Sequence, residues 1–505
     1  MESRTTNSKN NIIAGLVASI IGIIFPFINR TVILYTLGYE YQGLNTLFTS
    51  ILSTLSLAEL GISSAVTFCL YRAIAENNID EQCALLNFFK KVYRVIGILI
   101  LICGIVLTPF ISIFIKGDYP ERINIYFLFI LFLVQTVVSY LFLGYKSIIF
   151  SAYQKEVVIS KVQIGVTILR YMAQFLVLII FKDFYLYVIM AIIGSIVQNG
   201  IVALLAGKYY PDIVCKGNIS RERKAELKSK IGGLLVNRLS NEIRNSSDNI
   251  VVSLFLGLKF VTSYGNYFYI MNSIYCMFGI ITRGMIASVG NSVVTETKEK
   301  NYQDFLMFGC LFSFLNCVAT SCMFSIFQPF MELWAGEGLM LNGLEMTMFC
   351  LYFYVLNVNY PINLYYETNG LWDKTKKIFI LSAVVNLLLN FILCYWFQIG
   401  GILLATIVTI ILFSIIGRLK ILYNSFFCGI SIIEYLTNEI KYFLCVVLAC
   451  ILIGYINNQI DINGVLGIII KLFVAISISC LLWFLMFRKS IHFKKGKTLI
   501  SRLKK

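Results

Sequence analysis

Apolar segments long enough to cross a lipid bilayer recur along this chain from end to end. A membrane-spanning helix needs about 20 mostly apolar residues, and about fourteen such segments can be read among the 505 residues. They cover residues 12–37, 45–70, 92–115, 123–143, 157–181, 184–206, 231–256, 260–289, 305–327, 344–365, 378–397, 402–422, 442–456 and 465–487. No polar stretch between them is long enough for a separate soluble domain. The sequence therefore predicts an all-α polytopic membrane protein.

The composition argues against most classes of enzyme. Charged residues make up 13% of the chain, about half of the roughly 25% typical of soluble proteins, which excludes a soluble multidomain enzyme. The single histidine, His492, lies in a basic C-terminal segment, which excludes histidine-based triads and histidine-ligand metal sites. None of the 14 cysteines forms a Cys-x-x-Cys motif. The sequence predicts a protein that is not an enzyme and holds no metal or cofactor.

The basic residues indicate how the chain is oriented in the membrane. Lys and Arg beside short loops stay on the cytoplasmic side, and most of the 42 basic residues fall on the side that holds the N-terminus. Both termini are therefore expected in the cytoplasm. The net charge of +16 is then mainly a topology signal, which favours contact with anionic membrane lipids and not with nucleic acid.

Charged residues inside the apolar segments are the first candidates for a functional site. Each costs about 2.5–3.5 kcal/mol near the centre of a spanning helix, so they are rare unless they serve a function. The candidates are Arg30, Glu59, Arg170, Arg238, Glu242, Arg244, Asp248, Arg283 and Lys471. Arg283 and Lys471 lie close enough to a membrane boundary to be anchors instead.

The seventh apolar segment, residues 231–256, carries four of these charges. Together they would cost about 10–14 kcal/mol at the centre of the bilayer, so this helix cannot face lipid on all sides. One polar face is formed by residues that recur at a helical spacing, namely Asn237, Asn241, Arg244 and Asp248. Arg238 with Glu242, and Arg244 with Asp248, are also spaced as ion pairs. We expect this face to line a wet cavity or to pack against polar partners.

Arginine side chains in a water-filled cavity suit an anionic ligand, because guanidinium groups pair with phosphate or carboxylate oxygens. The sequence thus predicts a transporter for an anionic, polar substrate. Its candidate binding residues are Arg30, Glu59, Arg170, Arg238, Arg244, Asp248 and Arg283. The candidates for coupling to an H⁺ or Na⁺ gradient are Glu59, Glu242 and Asp248. A role in structural ion pairs is the alternative for these groups.

The charged helices fall at corresponding places in two halves of the chain. Segments one and two correspond to segments seven and eight, an offset of six helices that preserves direction across the membrane. Asn29-Arg30-Thr31-Val32-Ile33 precedes Leu37-Gly38 at the spacing at which Asp248-Asn249-Ile250-Val251-Val252 precedes Leu256-Gly257. The sequence predicts two pseudo-symmetric six-helix bundles around a central cavity, residues 1–206 and 231–423, joined by a basic cytoplasmic linker at 207–230. Residues 424–505 add two spanning helices and a basic cytoplasmic tail.

Several motifs resemble those of a known family. Leu57-Ala58-Glu59-Leu60-Gly61-Ile62-Ser63-Ser64-Ala65, followed by Leu70-Tyr71-Arg72, resembles the second-helix signature of bacterial polysaccharide-transport (Wzx-type) flippases of the multidrug/oligosaccharidyl-lipid/polysaccharide (MOP) exporter superfamily. Asn245-Ser246-Ser247-Asp248-Asn249-Ile250-Val251-Val252-Ser253 and Tyr264-Gly265-Asn266-Tyr267 are similar to the seventh and eighth helices of that family. Leu333-Trp334-Ala335-Gly336 and Asn369-Gly370-Leu371-Trp372 match later landmarks. The resemblance covers nearly the whole chain and rests on the joint occurrence of these motifs.

The resemblance implies a flippase in the bacterial cytoplasmic membrane. Such a protein exports oligosaccharide repeat units carried on undecaprenyl pyrophosphate, by alternating access, for capsule, the O-antigen of lipopolysaccharide or another surface polysaccharide. By this resemblance, Arg30 and the basic residues of the seventh and eighth helices meet the pyrophosphate or acidic sugars. The implied partners are the lipid-linked oligosaccharide and a polysaccharide polymerase.

Two other functions stay open at this point. The first is a cation-coupled small-molecule or multidrug antiporter of the same fold, although a site richer in arginine than in carboxylates disfavours cationic drugs. The second is a membrane polymerase or glycosyltransferase. It is disfavoured because the longest external loop, residues 328–343, offers only Glu332 and Glu337 as acidic groups.

Overall fold

The computed structural model describes residues 4–56, 62–462 and 464–503, and it describes their side chains except at 4–16, 64, 223, 225–235, 237–238 and 499–503. The described residues form helices α1 to α17 and no strand, as the sequence predicts. The chain divides into two compact units, Met1–Thr262 and Ser263–Lys505.

Unit 1, Met1–Thr262, is built from nine helices and the start of a tenth. These are α1 (Arg4–Thr36), α2 (Tyr39–Leu55), α3 (Ile62–Ala75), α4 (Ile79–Leu107), α5 (Ile125–Leu141), α6 (Ser147–Ala152), α7 (Glu156–Ile180), α8 (Phe184–Tyr209), α9 (Arg221–Leu256) and α10 (Leu258–Thr295). Helix α1 packs on α7, α7 on α8, α5 on α4 and α8, and α9 on α2 and α3. Aromatic side chains fill the core: the ring of Phe48 meets those of Phe129 and Phe132 edge to face, at 5.3 and 5.7 Å.

Polar side chains set where several of these helices begin. Asn78 accepts a hydrogen bond from the backbone N–H of Glu81 at the start of α4, and Asp183 accepts one from Leu186 at the start of α8. Each cap pairs one of the backbone donors that have no partner within the helix. Gly38, with φ 109°, turns the chain sharply between α1 and α2, in a conformation that favours glycine.

Unit 2, Ser263–Lys505, contains most of α10 and the helices that follow. These are α11 (Lys298–Ala335), α12 (Gly343–Thr368), α13 (Lys376–Thr409), α14 (Arg418–Ser425), α15 (Ile433–Asn457), α16 (Gly464–Phe487) and α17 (Ile491–Leu503). Helix α11 lies at the centre and packs on α12, α15, α16 and α17. The ring of Phe305 on α11 stacks on Tyr435 of α15, with centroids 4.9 Å apart. Helix α12 begins with a capping box between Asn342 and Glu345.

Nine helices of the described residues are long and apolar enough to cross a membrane. With the bent pair Ile125–Leu141 and Gly144–Ala152 counted as one span, the number is ten. Every predicted segment overlaps a helix, but the prediction of about fourteen spans exceeds this count for physical reasons. Helix α2 has only 17 residues, α9 is interrupted by charges, and two predicted spans share the continuous stretch Leu371–Ser425. That stretch is broken at Gln398, where φ is 52° and ψ is −130°.

Helices α8 and α9, which stand on either side of the predicted linker, both lie in unit 1. The described part of α9 packs against α2 and α3, so this helix belongs to unit 1. The predicted six-helix bundles and the linker at 207–230 stay predictions. Two hydrogen-bonded contacts join α9 to α2: Asn249 donates to Ser50, and the hydroxyls of Ser246 and Ser53 are 2.7 Å apart.

Candidate functional site

Two of the predicted arginines, Arg30 of α1 and Arg170 of α7, approach the same tyrosine of unit 1. The Tyr187 hydroxyl on α8 accepts a hydrogen bond from Asn29 Nδ2 at 2.7 Å. The charges of both arginines lie within electrostatic range of Tyr187, and Arg30 Nη2 donates to Thr46 Oγ1 at 3.4 Å. Three helices that are separate in sequence thus bring two cations to one buried polar group. We call Arg30, Arg170 and Tyr187 the arginine cluster.

Arg170 is held in place by packing rather than by a carboxylate. Its guanidinium carbon lies 4.7 Å from the centre of the Tyr171 ring, a favourable cation–π distance. Its aliphatic stem lies against Gly194 of α8, where an added Cβ would come within 2.7 Å of Arg170 Cδ. The Arg170 Nε is buried and has no hydrogen-bond partner, and among the described residues this arginine forms no ion pair.

Arg244 and Asp248, two residues of the predicted polar face of α9, are buried, but their ion pairing differs from the prediction. Arg244 is 9% exposed and donates from Nη2 to Asn241 Oδ1 at 3.2 Å, while its Nε has no hydrogen-bond partner. Arg244 forms no ion pair with Asp248 in the described structure, although Asp248 is fully buried. Glu242 accepts a hydrogen bond from Ser246 at 3.1 Å. Arg244 therefore pairs with the neutral amide of Asn241, although the i,i+4 spacing predicted an ion pair with Asp248.

A polar face of α2 joins the arginine cluster to α9. Asn249 Nδ2 donates to Ser50 Oγ at 3.0 Å, and the hydroxyls of Ser246 and Ser53 are 2.7 Å apart. One helical turn away, Gln42 Nε2 donates to Thr46, the residue that also accepts from Arg30. This face was not predicted from the sequence. The helical spacing of residues 42, 46, 50 and 53 would have indicated a polar face. These side chains are uncharged, however, and the prediction rested on charged residues within the apolar segments.

The remaining predicted residues are not part of this arrangement. Glu59 lies outside the described residues, and no side chain is described for Arg238. Arg283 belongs to unit 2, where its side chain is exposed, which fits its alternative role as an anchor. Among the described residues, no group of three or more His, Cys, Asp and Glu side chains could hold a metal ion.

The fold is shared with known membrane transporters. Lipid II flippase MurJ, in an inward closed conformation, is similar with 14% identity over 95% of this chain and 99% of that chain, at a TM-score of 0.68. An inward-facing multidrug resistance MATE family transporter of the MOP superfamily is similar with 14% identity over 81% of this chain and 98% of that chain, at a TM-score of 0.63. A Vibrio cholerae MATE transporter is similar with 14% identity over 84% of this chain and 99% of that chain, at a TM-score of 0.57.

These similarities show that the chain has a MurJ- and MATE-like fold, that of an all-helical multi-span membrane protein. The prediction of an all-α polytopic membrane protein is therefore confirmed, whereas membership of the predicted superfamily stays a prediction that the similarity of the fold supports. The sequence matches no family model, and no curated protein matches it. The Wzx-type family within the superfamily stays a prediction.

Proposed function

We propose that this protein is a flippase that exports undecaprenyl-pyrophosphate-linked oligosaccharide repeat units across the cytoplasmic membrane by alternating access. The repeat units would serve capsule, O-antigen or another surface polysaccharide. The motif resemblance to Wzx-type flippases and the fold shared with a lipid II flippase both support this reading. Both termini would lie in the cytoplasm, in agreement with the distribution of Lys and Arg.

The observation that carries the proposal is the state of Arg170 and Arg244. Each has a buried Nε with no hydrogen-bond partner, and neither forms an ion pair with a described residue. Arg244 is buried and Arg170 is half-buried, and a guanidinium group withdrawn from water is costly unless an anion compensates it. A pyrophosphate supplies several charged oxygens, and guanidinium groups bind such oxygens through paired N–H donors. An anionic substrate therefore accounts for cations that the protein leaves without a carboxylate.

The residues of the site have different roles in this proposal. Arg30 and Arg170 bind the anionic headgroup from two sides of Tyr187, and Arg244 extends the cationic surface along α9. Thr46 and Asn241 accept hydrogen bonds from Arg30 and Arg244 and help to orient these side chains. Arg238, Arg283, Glu59 and Asp248 stay candidate substrate-binding residues from the sequence. A polysaccharide polymerase stays a candidate partner.

A deletion strain tests the function directly. Surface polysaccharide is measured together with the leaflet distribution of its lipid-linked precursor. The proposal expects that polysaccharide is lost and that the precursor accumulates in the inner leaflet. Precursor that reaches the outer leaflet but stays unpolymerised would instead indicate an enzyme of the same pathway. A normal precursor distribution contradicts the proposal.

Single substitutions then test the site. Arg170→Ala and Arg244→Ala should each lower export at least about tenfold, because each removes a charge-assisted contact worth about 1.5–3 kcal/mol. Lys259→Ala is the matched control, since it removes an exposed cation of unit 1 and should leave export unchanged. Membrane insertion is measured for all three variants. Export at the wild-type rate by both arginine variants contradicts the assignment of this site.

A cation-coupled small-molecule or multidrug antiporter is the second candidate. It is favoured by the fold shared with a multidrug resistance transporter and by the carboxylate of Asp248, which is fully buried. With Glu59 and Glu242, Asp248 stays a candidate for coupling to an H⁺ or Na⁺ gradient. Drug efflux that disappears in Asp248→Asn, in a strain whose polysaccharide precursor is distributed normally, would favour this candidate over the flippase.

A further inference from the structure

A cleft of unit 1 lies beside α4 and takes no part in the arginine cluster. It has a volume of about 300 Å³, and its walls include Lys91 and Val95 of α4, Asn218 of the loop between α8 and α9, and Lys224 of α9. We call it the α4 cleft. The third predicted apolar segment begins at residue 92, directly after Lys91. The α4 cleft therefore lies at the boundary between the basic and the apolar part of α4, where the headgroups of a bilayer are expected.

The loop that forms one wall of the α4 cleft is fixed to α4 by side chains one helical turn apart. Asn87 Nδ2 donates to the Gly217 carbonyl at 2.8 Å. Lys91 Nζ donates to Asn218 Oδ1 at 3.2 Å. The next residue of the loop, Ile219, is buried in the hydrophobic core of unit 1. The wall is thus anchored by polar contacts and by apolar packing, so the α4 cleft is formed before any ligand binds.

The charges of the α4 cleft are of one sign. Among the described residues its lining includes no Asp or Glu, and neither Lys91 nor Lys224 forms an ion pair. The cleft on the other side of the same loop is different, because Asp80 and Glu222 are part of its lining and Lys216 Nζ lies 3.8 Å from the Asp80 carboxylate. An anionic ligand is therefore attracted to the α4 cleft and not to its neighbour.

The apolar lining of the α4 cleft continues as an exposed stripe along α4. Phe88 and Val95 line the cleft, and Val95 is 63% exposed. Further along the helix the same face presents exposed apolar side chains at Leu99, Ile102 and Val106. From Val95 to Val106 the helix rises by about 16 Å, which is close to half of a hydrocarbon core about 30 Å thick. The stripe is thus about as long as one leaflet of the bilayer.

We propose that the α4 cleft binds the headgroup of one anionic phospholipid, a diacyl lipid with a single phosphodiester. Lys91 and Lys224 contact the phosphate oxygens, and Asn218, whose Oδ1 accepts from Lys91, donates to them from Nδ2. A volume of about 300 Å³ is at the lower end for small-ligand sites and holds a headgroup without its chains, so an acyl chain lies outside along the exposed stripe of α4. This inference does not rest on the proposed transport function.

Native mass spectrometry of the full-length protein in a neutral detergent tests the site, because it counts the lipids bound to each molecule. The probes are dioleoylphosphatidylglycerol and dioleoylphosphatidylcholine, which have the same chains and differ in net charge. The wild-type protein should bind the first phosphatidylglycerol at least fivefold more tightly than phosphatidylcholine. Lys91→Gln and Lys224→Gln should each weaken that binding about fivefold, since each removes one cation at headgroup level. Lys90→Gln is the matched control and should bind as the wild type does, because the Lys90 ammonium lies over the Tyr145 ring instead.

Lys224→Gln is the decisive variant, because Lys91 also holds the loop whereas Lys224→Gln changes no described side-chain contact of the loop. A competition with sn-glycerol 3-phosphate separates a lipid from a soluble phosphate ligand, since this probe has the phosphate and lacks the chains. It should not displace phosphatidylglycerol at an equal concentration. The proposal is overturned if the two lipids bind equally well, if Lys224→Gln binds phosphatidylglycerol as tightly as Lys90→Gln does, or if glycerol 3-phosphate displaces the lipid.

Discussion

Gly194→Ala displaces Arg170 without removing any charge, and this makes it a strict test of the arginine cluster. A Cβ at residue 194 would lie 2.7 Å from Arg170 Cδ, 3.0 Å from its Cγ and 3.2 Å from its Cβ. Rotation of the arginine side chain relieves the first two contacts. The third persists, because Arg170 Cβ is fixed to the backbone of α7, so α7 and α8 must also separate by a few tenths of an ångström.

The energetic consequences separate folding from binding. Overpacking of this kind costs about 1–3 kcal/mol, whereas alanine is favoured over glycine inside a helix by about 1 kcal/mol. The net loss of stability is thus about 2 kcal/mol at most, and the variant should still fold. Loss of the contact between the displaced guanidinium and an anionic ligand costs about 1.5–3 kcal/mol, which corresponds to a roughly 10- to 100-fold lower affinity.

The assay is a binding titration of purified protein with undecaprenyl pyrophosphate in detergent micelles, with the Tm recorded for each variant. Gly200→Ala is the matched control, because it makes the same change in the same helix where nothing lies within 4 Å of the added Cβ. Gly200→Ala should bind as the wild type does, and Gly194→Ala at least tenfold more weakly. Equal affinities of the two variants would refute the role of Arg170 in binding.

Two further predictions concern stability. Ser50→Ala removes the acceptor of the buried Asn249 amide and should lower the unfolding free energy by about 1–3 kcal/mol. The control Thr49→Ala, at an exposed position of α2, should change the unfolding free energy by less than about 0.5 kcal/mol. Similar losses of stability in the two variants would contradict the contact between α2 and α9. Burial lowers the pKa of His492, although the charge of Glu434 opposes this shift. The unfolded state therefore binds more protons than the folded state as the pH falls below about 6.5, and the Tm should fall when the pH is lowered from about 7.5 to 5.5. This fall should vanish in His492→Gln, and equal profiles in the two proteins would contradict it.

Hydropathy was sufficient to predict the helices, because a segment that crosses lipid must form its backbone hydrogen bonds within itself and must consist mainly of apolar residues. It was also sufficient to predict that α9 has a polar face, since four charges in one apolar segment cannot all meet lipid. The partners of Asn249 and Arg30 could not be predicted. Ser50 and Thr46 are weakly polar, and their pairing with Asn249 and Arg30 depends on which helices are neighbours in space.

Ion pairing within a helix was the least reliable inference from spacing. Arg244 and Asp248 are four residues apart, yet Arg244 donates to Asn241, three residues away on the other side. The thirteenth predicted segment shows a related weakness, because it begins at residue 442 whereas α15 begins at Ile433. Segment ends are set by capping and packing, which average hydropathy does not report.

The break at Gln398 has a consequence for how the chain enters the membrane. Residues 378–417 contain no charged side chain, and the two arms of this stretch are separated by one residue in a left-handed conformation rather than by a hydrophilic loop. Neither arm carries a charged anchor at its end next to the break, so neither has a reason to stop there on its own. We therefore expect the two arms to leave the translocon together as a helical hairpin. An epitope tag placed at this turn would then interfere with biogenesis before it could report topology.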